Sequence, residues 1–494
     1  MSNPRPGTVR RNTLINLAGA ALPAVLSLAV VPAFLAAVGP VRYGVLAIVW
    51  TLLGYFSILD LGFGQATSNR VATLKDAPKE QVRRVFWTAL TLNAAIGLLG
   101  SWILLLVGNV LLGSVFKIPS AIRPEALGSV PWLALGVPLV TTATVLGGTL
   151  EGEERFGTLN ILGVSGTLVM QIAPLLWAWG HGPALSGLVA VTIVTRAVGN
   201  VLMLAACFGV VGLAAPSLDR GQIGGLFRFG GWVSISAVMN AVLQSADRFV
   251  IGIVSGMAAV TNYTIPFNLV NRLIVLPASL GRTLFPRFAK ISPESAEALL
   301  AEATTAVAVV MTPVAITGLL VVREFLRLWV GPAQAAASAP VADIIFLGLW
   351  MNGLAHVPSF YHLGRGRPDV PAKFHLVEAI PFVIALVIGT RFWGITGAAL
   401  AWTLRVSADA LLLYQAARLP LQRQARFLPA VGLLLAAFGL AIHPLAILLE
   451  IGVGAVLLAL ALAWGWKEAP PPLRVLFDRR ARSPGRPDEK GAVP

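Results

Sequence analysis

The sequence predicts an all-α, polytopic membrane protein with about 14 transmembrane helices. Three observations carry that prediction. Of its 494 residues, 56% are hydrophobic and only 12% charged, whereas soluble domains are roughly a quarter charged. The mean hydropathy is +0.80, so the chain lacks the polar surface to cover itself in water. Long apolar runs also recur along the chain, each near the roughly 20 residues that a bilayer core of about 30 Å requires.

Taken in order, the expected spans lie near 13–38, 44–66, 86–112, 129–149, 159–179, 184–207, 231–254, 258–281, 303–322, 341–362, 373–390, 395–416, 428–445 and 447–466. The basic start MSNPRPGTVRRN is followed by a long apolar run without a small-residue cleavage site. It therefore reads as a first transmembrane helix and not as a removed signal peptide. Cys207 is the single cysteine, which excludes an intrachain disulfide. The net charge of +15 would suggest nucleic acid in a soluble chain. Here it fits cytoplasmic loops, and no nucleic-acid partner is expected.

Orientation follows from the loops. With the N-terminus inside, one side of the membrane holds 26 Lys and Arg residues and the other holds 6, with the remaining five of the 37 inside spans. That asymmetry predicts both termini in the cytoplasm. The loops are short, leaving no room for a catalytic domain, and no phosphate-binding loop of the Gly-rich Lys-Ser/Thr kind occurs. The histidines show no metal-ligand spacing, so neither a metal nor another cofactor is expected, and no enzymatic activity.

An internal repeat organises the chain. Tyr43 corresponds to Tyr263 and Arg70 to Lys290, both at an offset of 220; SGLVAVTIVTR from Ser186 resembles TGAALAWTLRV from Thr396 at an offset of 210. The expected plan is two six-helix repeats of parallel orientation around a central cavity, plus two C-terminal helices. The boundaries are a cytoplasmic N-terminus at 1–12, an N-terminal half at 13–207, a cytoplasmic linker at 208–230 and a C-terminal half at 231–416. Two additional helices follow at 428–466, then a disordered basic tail at 467–494. Rocking of one half against the other would alternate access to the cavity.

Charges inside spans cost roughly 2.5–3.5 kcal/mol each on insertion scales, so each is a candidate for function. Span seven carries Ser236, Asn240, Gln244 and then Asp247 with Arg248, and span eight carries Thr264, Asn268 and Arg272. Steps of three and four place such residues on one helical face. Two polar stripes on consecutive helices suggest a wet cavity, or else hydrogen bonds that hold the bundle together. Arg272 lies about twelve residues from either end of its span. Arg248 is nearer the outer end, where pairing or snorkelling is also open to it. Arg196 sits mid-span with no acid on its own helix, to pair with another helix or to meet substrate. Arg405 and Asp409, four residues apart, read as a structural ion pair. Asp60 precedes Gly62 and Gly64 and either binds a coupling ion or fixes a helix terminus. Asp247 is a second candidate for ion coupling. Pro23, Pro32, Pro266 and Pro277 predict kinks in spans one and eight.

Several runs resemble a known family. They are YGVLAIVWTLLGYFSILDLGFGQATSNRVA from Tyr43, DRFVIG from Asp247, YTIPFNLVNRLIVLPASL from Tyr263 with LFP at Leu284–Pro286, and LWVG at Leu328–Gly331. They are similar to bacterial polysaccharide transporters: the O-antigen and capsule repeat-unit flippases of the multidrug/oligosaccharidyl-lipid/polysaccharide exporter superfamily. The likeness covers nearly the whole chain, including the 6 + 6 + 2 plan. It implies that an undecaprenyl-diphosphate-linked oligosaccharide moves from the inner to the outer leaflet of the bacterial cytoplasmic membrane, with ion coupling. A guanidinium binds a diphosphate bidentately and stays charged, so Arg272 and Arg248 are expected to meet that group, and Arg196 is a further cavity candidate. Asn240, Gln244 and Asn268 would meet sugar hydroxyls. Membrane lipids and a glycan polymerase are the expected partners, and the protein is expected to be a monomer. A drug or organic-cation antiporter of the same superfamily is the alternative, although two arginines against one aspartate in the stripes disfavour it. A membrane-embedded glycan polymerase or ligase would need a substantial outer loop, which the sequence lacks.

Overall fold

The computed structural model describes residues 6–56, 60, 62–75, 77–212, 243–418, 425–443 and 445–470. Every regular element among them is helical, as the composition predicts. The helices are α1 (Pro6–Tyr55), α2 (Phe63–Thr73), α3 (Lys79–Val110), α4 (Arg123–Gly152), α5 (Phe156–His181) and α6 (Leu185–Val211). After these come α7 (243–254), α8 (Met257–Asn271), α9 (Val275–Lys290), α10 (Pro293–Val330) and α11 (Pro332–Gly364). The last three are α12 (Asp369–Ala416), α13 (Leu428–Ile442) and α14 (Ile447–Glu468).

Nine helices among the described residues are long and apolar enough to cross a membrane. The fourteen intervals read from the sequence are distributed differently. Two of the nine, α1 and α12, each turn back at one glycine, Gly39 (φ 77°) and Gly394 (φ 60°); α12 thereby contains two expected spans, and α1 contains the first span and the start of the second, whose last residues belong to α2. Both glycines adopt the left-handed φ that a Cβ disfavours. Span eight is divided into α8 and α9, α13 has 15 residues, and most of span seven, with Asn240 in it, lies outside the described residues.

The chain divides into two compact units. The first comprises Met1–Ile265, Trp329–Gln334 and Val383–Ala398, and the second Pro266–Leu328, Ala335–Phe382 and Ala399–Pro494. In the first unit α4 is the central helix, packing on α2, α3 and α6. Its core there is Phe86, Leu146, Leu150, Cys207 and Val211, with Phe63, Ala89 and Val145 beside it. The crossing of α2 and α4 is backbone on backbone: a Cβ at Gly148 would collide with the Gly64 carbonyl oxygen. The same unit holds a contact between distant parts of the chain. The Thr261 hydroxyl of α8 donates to the Pro40 carbonyl oxygen (2.5 Å), just after the Gly39 turn.

In the second unit, the Trp350 indole of α11 donates to Thr312 of α10 (3.0 Å). Gly348 lets Trp402 of α12 lie against α11. The Arg365 guanidinium donates to the Ile291 carbonyl (3.0 Å), fastening the end of α11 to the end of α9. At the other end of α10, Arg323 donates to the Ala441 carbonyl of α13 (2.9 Å) and faces the buried Asp343 at 3.9 Å.

Candidate functional site

The break in span eight is a consequence of sequence. Pro277 has no N–H and its ring crowds the carbonyl four residues back, which disfavours a regular α-turn upstream. The chain tightens there into a 3₁₀ turn at Arg272–Ile274. Arg272 therefore stands at the start of a helix break and not in an uninterrupted helix. Its side chain is exposed, as is that of Asn268 one turn earlier, whereas Thr264 and Tyr263 are buried. Asn268 and Arg272 thus share one exposed face of the second unit. The other kink residue of this span, Pro266, is accommodated within α8.

On α7 the expected polar stripe divides. Gln244 is exposed, Arg248 half-buried and Asp247 only 1% exposed. The Asp247 carboxylate accepts the backbone N–H of Arg248 (2.7 Å), a local bond that turns its charge toward the chain. Gln244, Asp247 and Arg248 belong to the first unit, and Asn268 and Arg272 to the second. Arg196 is half-buried on α6, and its Nε has no hydrogen-bond partner among the described residues. One turn further along, Asn200 donates to the Leu139 carbonyl of α4 (2.7 Å).

Asp60 has a well-defined geometry. Its carboxylate is 7% exposed and accepts the Gly64 N–H, shared between both oxygens (3.1 and 3.2 Å), the Asn93 amide of α3 (2.7 Å) and the Thr144 hydroxyl of α4. Asn93 is itself held, its carbonyl accepting the Thr141 hydroxyl of α4 (2.9 Å). A carboxylate just before a helix accepts otherwise unpaired N–H groups and meets the positive end of the helix dipole. These bonds join Asp60 to α2, α3 and α4, the last also through Asn93, an arrangement that suits the terminus-fixing role.

The charge pair expected within α12 is shared with a further acid: Arg405 acts on Asp409 and on Glu378 alike. Arg405 lies 3.6 Å from Glu378, on the other arm of α12, with its guanidinium 5.2 Å above the Phe382 ring. Asp409 also faces His375 at 3.9 Å. The sequence contained the signal: 375 and 378, and 405 and 409, are one-turn pairs on either side of the turn that ends at Gly394. An apolar groove of about 460 Å³ also lies on the second unit between α9 and α10. It is lined by Leu276, Leu280, Leu284 and Val310, with Arg287 and Glu302 among its polar members.

Known proteins agree with this architecture. A family model described as a polysaccharide biosynthesis protein matches residues 37–335. The chain belongs to this polysaccharide biosynthesis family. A protein of Shigella flexneri, named as a candidate O-antigen transporter, is 26% identical over 408 residues, 82% of this chain and 97% of that one. The solved structure of the lipid II flippase MurJ, in an inward closed conformation, matches with a TM-score of 0.69 at 12% identity. It covers 92% of this chain and 99% of its own. An inward-facing multidrug resistance transporter of the MATE family, in the MOP superfamily, gives 0.68 at 14% identity, covering 83% and 98%. This family member therefore has a multi-span transporter fold.

Proposed function

We propose that the chain is a flippase that carries an undecaprenyl-diphosphate-linked oligosaccharide from the inner to the outer leaflet of the bacterial cytoplasmic membrane for O-antigen, capsule or exopolysaccharide assembly. It does so as a transporter without catalytic chemistry, with both termini in the cytoplasm. The observation that carries the reading is a polysaccharide-biosynthesis family member, built on a transporter fold, with a permanent cation at a helix break in its membrane region. An anionic diphosphate needs such a partner, and an arginine offers it a planar, bidentate donor set. Arg272 takes the diphosphate, with Arg248 and Arg196 as further cations and Gln244, Asn268 and Asn240 for sugar hydroxyls. The groove between α9 and α10 has the apolar lining that a stretch of polyprenyl tail requires. A glycan polymerase is the partner that would receive the flipped product. The same fold in a multidrug transporter keeps the antiporter reading in view, but organic cations would be repelled by the arginines of spans seven and eight.

The test is rescue of surface glycan in bacteria lacking their own repeat-unit flippase, with several glycan types. The wild type restores glycan for at least one, and Arg272→Ala, made at equal membrane level, loses most of it. Full rescue by Arg272→Ala removes that residue from the site. Failure of the wild type with every glycan overturns the flippase assignment.

A further inference from the structure

The second unit holds a cluster of ionisable side chains that the substrate site does not use. On one arm of α12, Glu378 is 6% exposed, and on the other arm Asp409 is 8% exposed. The two carboxyl groups are close enough for their charges to act on each other. Neither oxygen of Glu378, nor Oδ1 of Asp409, accepts a hydrogen bond among the described residues. Arg405 stands 3.6 Å from Glu378, and its side chain is 12% exposed. His375 stands 3.9 Å from Asp409, with a side chain 32% exposed. From α11, His356 also faces Asp409, its Nδ1 held 2.8 Å from the Asn352 carbonyl. Arg282 of α9, which is exposed, bears on His356.

The charges in contact do not balance. With both carboxyls ionised and both imidazoles neutral, two negative charges face Arg405 alone. A buried carboxylate lacking both a hydrogen bond and a full counter-charge is costly, and a proton is the least demanding remedy. One proton makes the cluster neutral. Accessibility falls in order from His375 through Asp409 to Glu378, so the imidazole is the member that meets water. We infer that Glu378 and Asp409, with His375 as their link to solvent, form a binding site for a single proton.

The exchange balances simply. Water delivers one proton to His375 Nε2. The imidazolium passes it to Asp409 Oδ1 after a small rotation or through one bridging water, since 3.9 Å exceeds a direct hydrogen bond. The proton then rests between the two carboxyls, and release retraces the path. A metal cation fits less well. Arg405 already occupies the electrostatic position such an ion would take, and no group of three His, Cys, Asp or Glu side chains among the described residues has metal-holding geometry. The proton site stands without the flippase assignment. Its use as the driving ion for transport rests on that assignment.

The experiment uses the full chain, purified into lipid nanodiscs, with infrared difference spectra across a pH step between about 5 and 9. With the contribution of the buried Asp343 carboxyl subtracted by means of Asp343→Asn, the wild type gives a protonated-carboxyl carbonyl signal that shifts in heavy water. Asp409→Asn and Glu378→Gln each abolish it, because one carboxylate is then balanced by Arg405. Asp409→Asn keeps the Arg405–Glu378 pair, so the test survives if Glu378→Gln does not fold. His375→Gln keeps the signal. Persistence of the signal in both acid variants, or its displacement by sodium at constant pH, overturns the proton site. If the signal behaves as expected and the wild type rescues no glycan, the transport assignment falls and the proton site remains.

Discussion

Asp60 separates two physical roles. As a helix-terminus residue it supplies acceptors to the Gly64 N–H and to the Asn93 amide. Truncation to alanine removes a cap, at about 1 kcal/mol. It also leaves the fully buried Asn93 amide without this acceptor, at about 1–3 kcal/mol. The sum for Asp60→Ala is a loss of about 2–4 kcal/mol. Asp60→Asn keeps an oxygen acceptor for Gly64 and the side-chain volume while removing the charge, so it should lose about 1 kcal/mol and retain glycan rescue. Thermal unfolding of detergent-solubilised protein, read beside surface glycan at matched membrane levels, tests both. An Asp60→Asn protein with wild-type thermal stability and no rescue would refute the capping argument and return Asp60 to the role of a coupling-ion ligand.

Three further outcomes follow from contacts already described. Gly148→Val forces a side chain into the Gly64 carbonyl and should destabilise the first unit by about 1–3 kcal/mol, seen as earlier unfolding. Glu125→Gln breaks the two-point contact with Arg42 (2.7 and 2.9 Å) and weakens the acceptor for the Leu185 N–H. Both partners are about a quarter exposed, so the loss should be about 1 kcal/mol and should shrink as salt is added. Arg272→Lys keeps the charge but not the planar donor pair, so glycan rescue should fall between that of the wild type and that of Arg272→Ala.

Residue types and their order along the chain carried the class of fold, because lipid admits only helices and closed barrels, and unbroken apolar runs of about 20 residues select the helix. Pro277 likewise announced a kink, and the 3₁₀ turn at Arg272–Ile274 is the form it takes. What periodicity could not supply was the exposure of each face. A step of three places Gln244 and Asp247 on neighbouring positions of α7, yet one is exposed and the other 1% exposed. That difference is set by the helices packed around α7, which no single-helix pattern contains.

The acid that the one-helix pattern missed has the same cause, and it bears on mechanism. Arg405 and Asp409 satisfy the one-turn rule for a pair on a single helix. That rule is worth only a few tenths of a kcal/mol at a surface, and burial changes which contacts decide the outcome. Turning α12 back at Gly394 brings a second acid, Glu378, to the same guanidinium. Once two carboxyls compete for one arginine in a buried place, the surplus charge must be met by a proton. A pattern that reads in sequence as structural glue thereby acquires, through one left-handed glycine, the capacity to titrate.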